Sequence, residues 1–479
     1  MARDSLLIED QPGETRIARM LDGRLHELIY VHDHAASLVG GIYLGRVRRV
    51  EPGLEAAFVD LGLPQAGFLA VEEARPTGAR GGKIADHVKE GDAVLVQIMQ
   101  DALADKGPKL TTRLSFQGRL VVLMPGQRDL RASGRVGGGE RQRLLDILEG
   151  PSQVDEGWIA RTAAGGRQAD DIAGEVARLR QAWQTVKEAA DAGNAPACLL
   201  GEREPVLRIL RDLDAADVEI LIEGADMLRR VREFCNEEAP DLSGRVAAHA
   251  AREPLFEAHA VDEQIEEALS PTVGLAGGGA VTFQETRAVI AIDIDSARAP
   301  SRGGREAMAL AVNSEAVAEI ARQMRLRGLA GLIVIDPLRL RSAENRKNLP
   351  TRLRAEVASD PAKVEVAGYT KLGLIEMTRR RGARSLERGL SVGCAACAGQ
   401  GRVRAPRLVA FEALRHLRRE ALATPGPAFV LHAPRAVIET LRGDGASALR
   451  RAEQKMGSRV TLSVDDALPA DIFRIDPGP

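Results

Sequence analysis

The sequence predicts an α/β multidomain protein, on three observations. Its 479 residues are enough for about three domains at roughly 150 residues each. From residue 40 to 122, short apolar runs punctuated by glycine suggest a small closed β-barrel. From 280 to 390, two β-branched runs each end in aspartate, with a long helical pattern between them.

Lys and Arg total 66 against 68 Asp and Glu, for a net charge of −2. That excludes a globally basic chain, although local basic patches can still bind nucleic acid. A hydrophobic fraction of 44% supports sizeable cores and argues against wholesale disorder. No apolar run approaches the roughly 18 residues of a membrane span, so no membrane-spanning segment is expected. Met1–Ser5 lacks the apolar core of a signal peptide, and a cytoplasmic location is expected. Four cysteines do not make a disulfide scaffold. Cys198 and Cys235 lie in apolar segments and are expected to be core thiols.

In chain order, the first 35 residues alternate apolar and polar and read as two short strands. The barrel's expected strands contain Ile42–Val47, Ala56–Asp60, Gly67–Ala70 and Ala93–Ile98. A strand at Leu120–Met124 ends at Pro125, and a Gly/Arg-rich loop follows at 134–139. The strand Gly157–Ala160 precedes Arg161-Thr162, then glycines. A helix follows with Val176, Leu179, Trp183 and Val186 on one face. Residues 205–270 read as mixed α/β. The helix between the aspartate-ended runs puts Val317, Ile320, Ala321 and Met324 on one face. From about 405 a small α/β unit runs to an end that looks disordered.

Five constellations could carry chemistry. Asp293 and Asp336 each end a buried-looking strand, and functional groups gather at the carboxyl ends of strands in such sheets. If the strands are neighbours, the two carboxylates repel and a hard cation such as magnesium relieves the repulsion. The plain alternative is that each merely caps a turn. Cys394-Ala395-Ala396-Cys397 is half a zinc knuckle, completed by a second copy of the chain, or else a redox pair. The glycines at 399 and 401 favour the knuckle. Arg379, Arg380, Arg381, Arg384, Arg388, Arg402 and Arg404, with Arg322, Arg325 and Arg327, form either a solvated or a phosphate-facing surface. Phe58, Phe68 and Lys106 are either two core rings and a surface lysine or a stacking platform with a phosphate contact. Arg161-Thr162 is either ordinary surface or a phosphate fork and hydroxyl.

Together these segments resemble the ribonuclease E/G family. The resemblance rests on Gly41-Ile42-Tyr43-Leu44-Gly45, Leu54–Asp60, Leu110-Thr111-Thr112, Ala160-Arg161-Thr162-Ala163 and Ala291–Arg298. It continues through Ala321–Arg327, Gly331–Asp336, Gly373–Arg379 and the CxxC. It implies an RNase H-like subdomain split across 1–35 and 205–268. An OB-fold (36–117) and a 5′-sensor domain (118–204) would be inserted into it. A DNase I-like catalytic domain (269–390), a zinc link (391–404) and a small α/β C-terminal domain (405–479) would follow. The implied activity is magnesium-dependent endonucleolytic cutting of single-stranded RNA in RNA processing and decay, leaving a 3′-hydroxyl and a 5′-phosphate. By the same resemblance Asp293 and Asp336 bind Mg2+. Gly118, Val122, Arg161 and Thr162 form a 5′-monophosphate pocket. Phe58, Phe68, Lys106 and Lys363 contact RNA. Cys394 and Cys397 share one Zn2+ between two protomers of a homodimer, with further pairing into a tetramer left open.

Two departures bear on activity. Asp295 stands where the family usually has Asn, which places it with the candidate catalytic carboxylates. Pro337-Leu338-Arg339-Leu340 replaces a Phe-Ile-Asp-Met pattern. Arg339 is expected to pair with one of the nearby carboxylates and so to compensate for Asp295. The alternative to an active enzyme is a catalytically weak or inactive RNA-binding paralogue.

Overall fold

The structure, a computed structural model, describes residues 4–32, 37–75, 81–102, 106–150, 155–201, 204–213, 218–297, 299–300, 303–380, 386–397, 399, 401–424 and 428–478. It divides into two compact units, Met1–Ala383 and Arg384–Pro479.

The N-terminal segment forms three strands, not two: Asp4–Gln11, Glu14–Leu21 and Arg24–His32. The extra strand follows a turn at Asp22-Gly23, both at positive φ, a strong hairpin pair. Asp4–Gln11 also runs parallel to Val218–Glu223. Residues from before and after the intervening modules therefore complete one five-stranded sheet. Its core joins Ile8 and Ile220 to Met227, Val231 and Cys235 on the helix Ala225–Glu238.

The expected barrel is present. Ile42–Glu51 pairs with both Ala56–Asp60 and Ala93–Gln100, and Gly67–Ala70 and Lys109–Thr111 complete the circuit. Closure is tight at Gly45, where a methyl would lie 2.4 Å from Val59 Cγ1. The short strand Ala197–Leu200 adds to Ile42–Glu51. On that strand exposure alternates, and Cys198 is exposed, not a core thiol. Cys235 is buried as expected, and burial, with Asp241 adding, pushes its thiol up to about 11.

The next sheet has the order Leu130–Ala132, Glu156–Ala160, Val121–Pro125, Phe116–Gln117. The helix Ala169–Ala192 covers it with Ile172, Val176, Leu179 and Val186, while Trp183 is half-buried with its ring 5.8 Å from Phe116. The Gly/Arg-rich loop gives way to a helix at Gly138–Glu149, which seats Leu144 and Leu148. Glycines at its start obscure an otherwise amphipathic run.

The sheet carrying the aspartates has the order Thr272–Gly274, Ala280–Glu285, Ile290–Asp295, Gly331–Asp336, Ile375–Arg379, Val364–Tyr369. Its central strands are parallel, joined by the helix Gly304–Leu326. Ile290, Ile292, Ile294, Ile333 and Ile335 share one core with Val317, Ile320 and Met324. With side chains alternating, Asp293, Asp295 and Asp336 take the opposite, solvent face.

In the second unit the helices Pro406–Ala423, Arg435–Arg442 and Ala446–Met456 pack with a three-stranded sheet. The chain end is ordered there: Arg474–Pro477 pairs antiparallel with Phe429–Ala433. Among the described residues, no helix is long and apolar enough to cross a membrane.

Candidate functional site

The parallel register sets Asp293 directly beside Asp336. Neighbouring strands lie about 4.8 Å apart, so the two carboxylates share one edge of the sheet. Both are exposed, and neither has a hydrogen-bond or ion-pair partner among the described residues. Asp295 is also exposed, but its Oδ1 accepts from Ala297 N at 2.8 Å. Asp295 thus caps its turn, while Asp293 and Asp336 stay available. Among the described residues, no three His, Cys, Asp or Glu side chains form a ready metal cluster. Two carboxylates still fit magnesium, which typically takes one or two and keeps its waters.

The loop after Asp336 is clamped from the helix Gly304–Leu326. Buried Asn313 donates to Leu338 O at 2.8 Å and accepts from Leu338 N at 2.9 Å. Glu306 accepts from Arg341 N (2.8 Å), Ser342 N (3.1 Å) and Asn345 Nδ2 (2.8 Å). The Arg341 amide, then Asn345 and the Ser342 amide, hold the Glu306 carboxyl below its ordinary range. Leu338 and Leu340 turn toward the core and Arg339 turns out. Arg339 makes no ion pair among the described residues, so the expected pairing with Asp295 or Asp336 is not formed.

Three of the arginines expected on a surface are interior. Arg322 donates to Glu319 Oε1 at 2.6 Å and to Leu25 O at 2.8 Å. Arg327 donates to Gln323 at 2.6 Å. Arg379 binds Asp360 at 2.9 Å and Leu329 O at 2.9 Å. All three are buried and brace packing between elements. Arg325 is half-buried, and Arg380, Arg402 and Arg404 are exposed, Arg404 paired with Glu412. Arg381, Arg384 and the Arg388 side chain lie outside the described residues. Lys363 is exposed and paired with Glu365 at 2.7 Å. Its neighbour Val364 pairs with Arg379, which pairs with Gly331. That places Lys363 at the end of the sheet opposite Asp336, away from the aspartates.

On the barrel, Phe58 pairs with Phe68 across two strands. The rings meet edge to face at 5.8 Å, with the Arg49 guanidinium 5.2 Å from the Phe58 ring. Ala57, Val59 and Leu69 fill the core, so the two phenylalanines are outward-facing and half-buried. A methyl on Gly107 would fall 1.8 Å from Ala66 O. That close approach ties exposed Lys106 to the start of the Phe68 strand.

The residues 118–122 and 161–162 come together. Arg161 N donates to Leu120 O at 2.7 Å, and Arg161 Nη1 donates to Gly118 O at 2.8 Å. Thr162 Oγ1 lies 3.0 Å from Ser133 Oγ. Val122 is half-buried between inward Val121 and Leu123. Beneath the segment sits Glu175, which accepts from the amides of Arg119 (2.8 Å), Leu120 (2.6 Å) and Val121 (2.8 Å). A methyl on Gly118 would lie 2.6 Å from Glu175 Cδ. Arg161 also pairs with Asp212 at 2.7 Å. Ser133, Glu175 and Asp212 carry no local sequence signal, because each arrives from another element. Cys394 is exposed, Cys397 half-buried, and neither forms a disulfide.

The family model described as "Ribonuclease E/G family" matches residues 115–382. A second, "RNase E/G, Thioredoxin-like domain", matches residues 393–478. Ribonuclease G of Escherichia coli (strain K12) is 32% identical over 98% of this chain and 99% of its own length. Ribonuclease G of Haemophilus influenzae is 32% identical, over 98% of each chain. Ribonuclease E of Escherichia coli (strain K12) is 33% identical over 98% of this chain but only 45% of its own.

Proposed function

The chain belongs to the ribonuclease E/G family, and from that premise we propose an endoribonuclease of ribonuclease G type, cutting single-stranded RNA in RNA processing and decay. The observation that carries this reading is the register pairing of Asp293 with Asp336, two exposed carboxylates without partners among the described residues. Asp293 and Asp336 would hold magnesium. When bound, that ion supplies an activated water and neutralises charge building on the scissile phosphate. Phe58 and Phe68 would stack bases while Lys106 meets a phosphate. Arg161 and Thr162, with Gly118 and Val122, would read a 5′-monophosphate. The five-stranded sheet formed by residues 4–32 and 218–248 would be the RNase H-like subdomain, and the sheet of residues 272–379 the DNase I-like one.

Cys394 and Cys397 would give two of a zinc ion's four ligands, with a second protomer giving the others, hence a homodimer. Its four cysteines, none in a disulfide, suit a reducing cytoplasm. The second reading, a weak or inactive RNA-binding paralogue, draws on Asp295 and on Arg339, the two departures from the family pattern. The test is cleavage of a 5′-monophosphorylated, A/U-rich oligonucleotide with and without magnesium. Asp293→Ala and Asp336→Ala should each abolish cutting while leaving RNA binding largely intact. Cutting at the parent rate by either variant sinks that assignment, and no cutting by the parent favours the paralogue.

A further inference from the structure

Arg161 is not an idle guanidinium. Its Nη1 pairs with Asp212 Oδ1 at 2.7 Å. The same carboxylate is gripped by Arg211, with Nε to Oδ1 at 3.0 Å and Nη2 to Oδ2 at 3.1 Å. The other contacts of Arg211 are long: Nη1 to Gln117 O at 3.4 Å and Nη2 to Gln117 Oε1 at 3.5 Å. The Arg211 fork and the Nη1 of Arg161 therefore converge on one carboxylate, and Thr162, next to Arg161 in the chain, lies 3.0 Å from the Ser133 hydroxyl. We infer that Arg211 is a second guanidinium of the end-recognition site, and that Asp212 is the stand-in anion that an arriving 5′-phosphate displaces. This rests on the reading of Arg161 and Thr162 as a 5′-monophosphate site.

Three features favour a stand-in over a permanent brace. The first is charge. Among the described residues, two guanidinium groups face one carboxylate, leaving one positive charge uncompensated there, whereas a phosphate monoester carries about −1.5 to −2 and matches both. The second is position. Asp212 is the last residue of the helix Pro205–Asp212, where the helix dipole disfavours an anion. Burial alone would push its carboxyl up, yet Arg211 and Arg161 hold it below its ordinary range. The third is access. The Asp212 side chain is 39% exposed against 22% for Arg161 and 9% for Arg211. The carboxylate can swing into water while the guanidinium groups stay in place. Arg119 and Arg167 also share one carboxylate, Asp241, at 2.7 and 2.9 Å, but its side chain is only 15% exposed, so it is not free to swing out as Asp212 is.

An internal occupant lowers apparent affinity by the fraction of time that the site is empty. The experiment measures binding of the full-length protein, without added magnesium, to one short single-stranded oligoribonucleotide bearing a 5′-monophosphate or a 5′-hydroxyl. Asp212→Asn should raise the phosphate-to-hydroxyl affinity ratio by about tenfold, the effect of an occupant present nine-tenths of the time. A folding defect cannot raise that ratio. Arg211→Gln should lower it by about as much, and Arg211→Lys should fall between, keeping charge but losing the fork. A ratio unchanged or lowered in Asp212→Asn overturns the stand-in role, the lowered case making Asp212 a holder of Arg161. A ratio retained in Arg211→Gln overturns the second guanidinium. If the parent has no preference and Arg161→Ala changes nothing, the end-recognition reading itself fails, and this inference with it.

Discussion

Glu175 offers a quantitative test of how the 118–122 segment is held. Its carboxylate is 2% exposed and accepts from three consecutive amides, two on Oε2 and one on Oε1. In Glu175→Gln one oxygen can still serve Leu120 and Val121. The side-chain NH2 must then face the Arg119 amide, donor against donor. Leaving one buried amide unpaired costs about 1–3 kcal/mol, and losing the charge on the other two bonds weakens each, since charged acceptors are about twice as strong. The sum is about 2–4 kcal/mol of local stability. Amide hydrogen exchange of Arg119, Leu120 and Val121 should therefore accelerate by about 30- to several hundred-fold at about 1.4 kcal/mol per decade. Amides of the other unit should be unaffected. Because Gly118 O receives Arg161 Nη1, the preference for a 5′-monophosphate should fall with the protection. Acceleration below threefold would refute the view that Glu175 organises this segment.

Three further outcomes are expected. Burial, then Arg325, Arg322, Arg24 and Arg19, push His26 down to about 4 from 6.5. The unfolded chain therefore takes up that proton first, so stability is unaffected above pH 6.5 and falls from 6.5 towards 4, by no more than about 3 kcal/mol and less after screening. His26→Gln should flatten that part of the melting-temperature profile; an unchanged slope would remove His26 as its source. Cys394→Ser should take zinc from about half an ion per chain to none and convert dimer to monomer in light scattering, whereas a full zinc in a parent monomer contradicts the shared site. In a double-mutant cycle on cleavage rate at high salt, where field effects are screened, Asp295→Asn and Arg339→Asp should be additive within about 0.5 kcal/mol, since no ion pair joins them among the described residues; coupling well above that would mean that they do pair.

The aspartate strands were legible because alternation and chain order carry the same message. Isoleucines at 290, 292 and 294 fix the face, and the crossover helix fixes the parallel neighbour. The barrel was legible because glycine marks close approach, as at Gly45. Other features were not legible, for physical reasons. A run of arginines has the same composition whether it faces solvent or interior acceptors, and Arg322, Arg327 and Arg379 find Glu319, Gln323 and Asp360 inside. Cys198 sits in an apolar stretch, but its strand lies at a sheet edge where alternate residues face out. Lys363 lies at the Gly331 end of the sheet, away from Asp336, a placement that depends on strand pairing and not on sequence distance. The anion beside Arg161 comes from a helix some fifty residues on, so no window around Arg161 contains it.

The two departures from the family pattern take a different meaning once their surroundings are known. The resemblance led to Asp295 and Arg339 as a compensating ion pair. Instead, Asp295 accepts the Ala297 amide through one oxygen, a role that an asparagine carbonyl fills equally well. The turn after Asp293 is thus insensitive to which of the two residues stands at 295, and what differs is charge alone. Arg339 is held out on a loop whose backbone Asn313 and Glu306 fix. Charges that do not touch still interact through the local field, over a Debye length of about 8 Å at physiological salt. Added negative charge beside Asp293 and Asp336 strengthens attraction for a cation and weakens it for the phosphates of RNA, and a guanidinium nearby does the reverse. Any compensation between these two residues would therefore be screened by salt, as a buried ion pair would not be. The salt dependence of cleavage in Asp295→Asn and Arg339→Asp, measured separately, distinguishes a field from a contact.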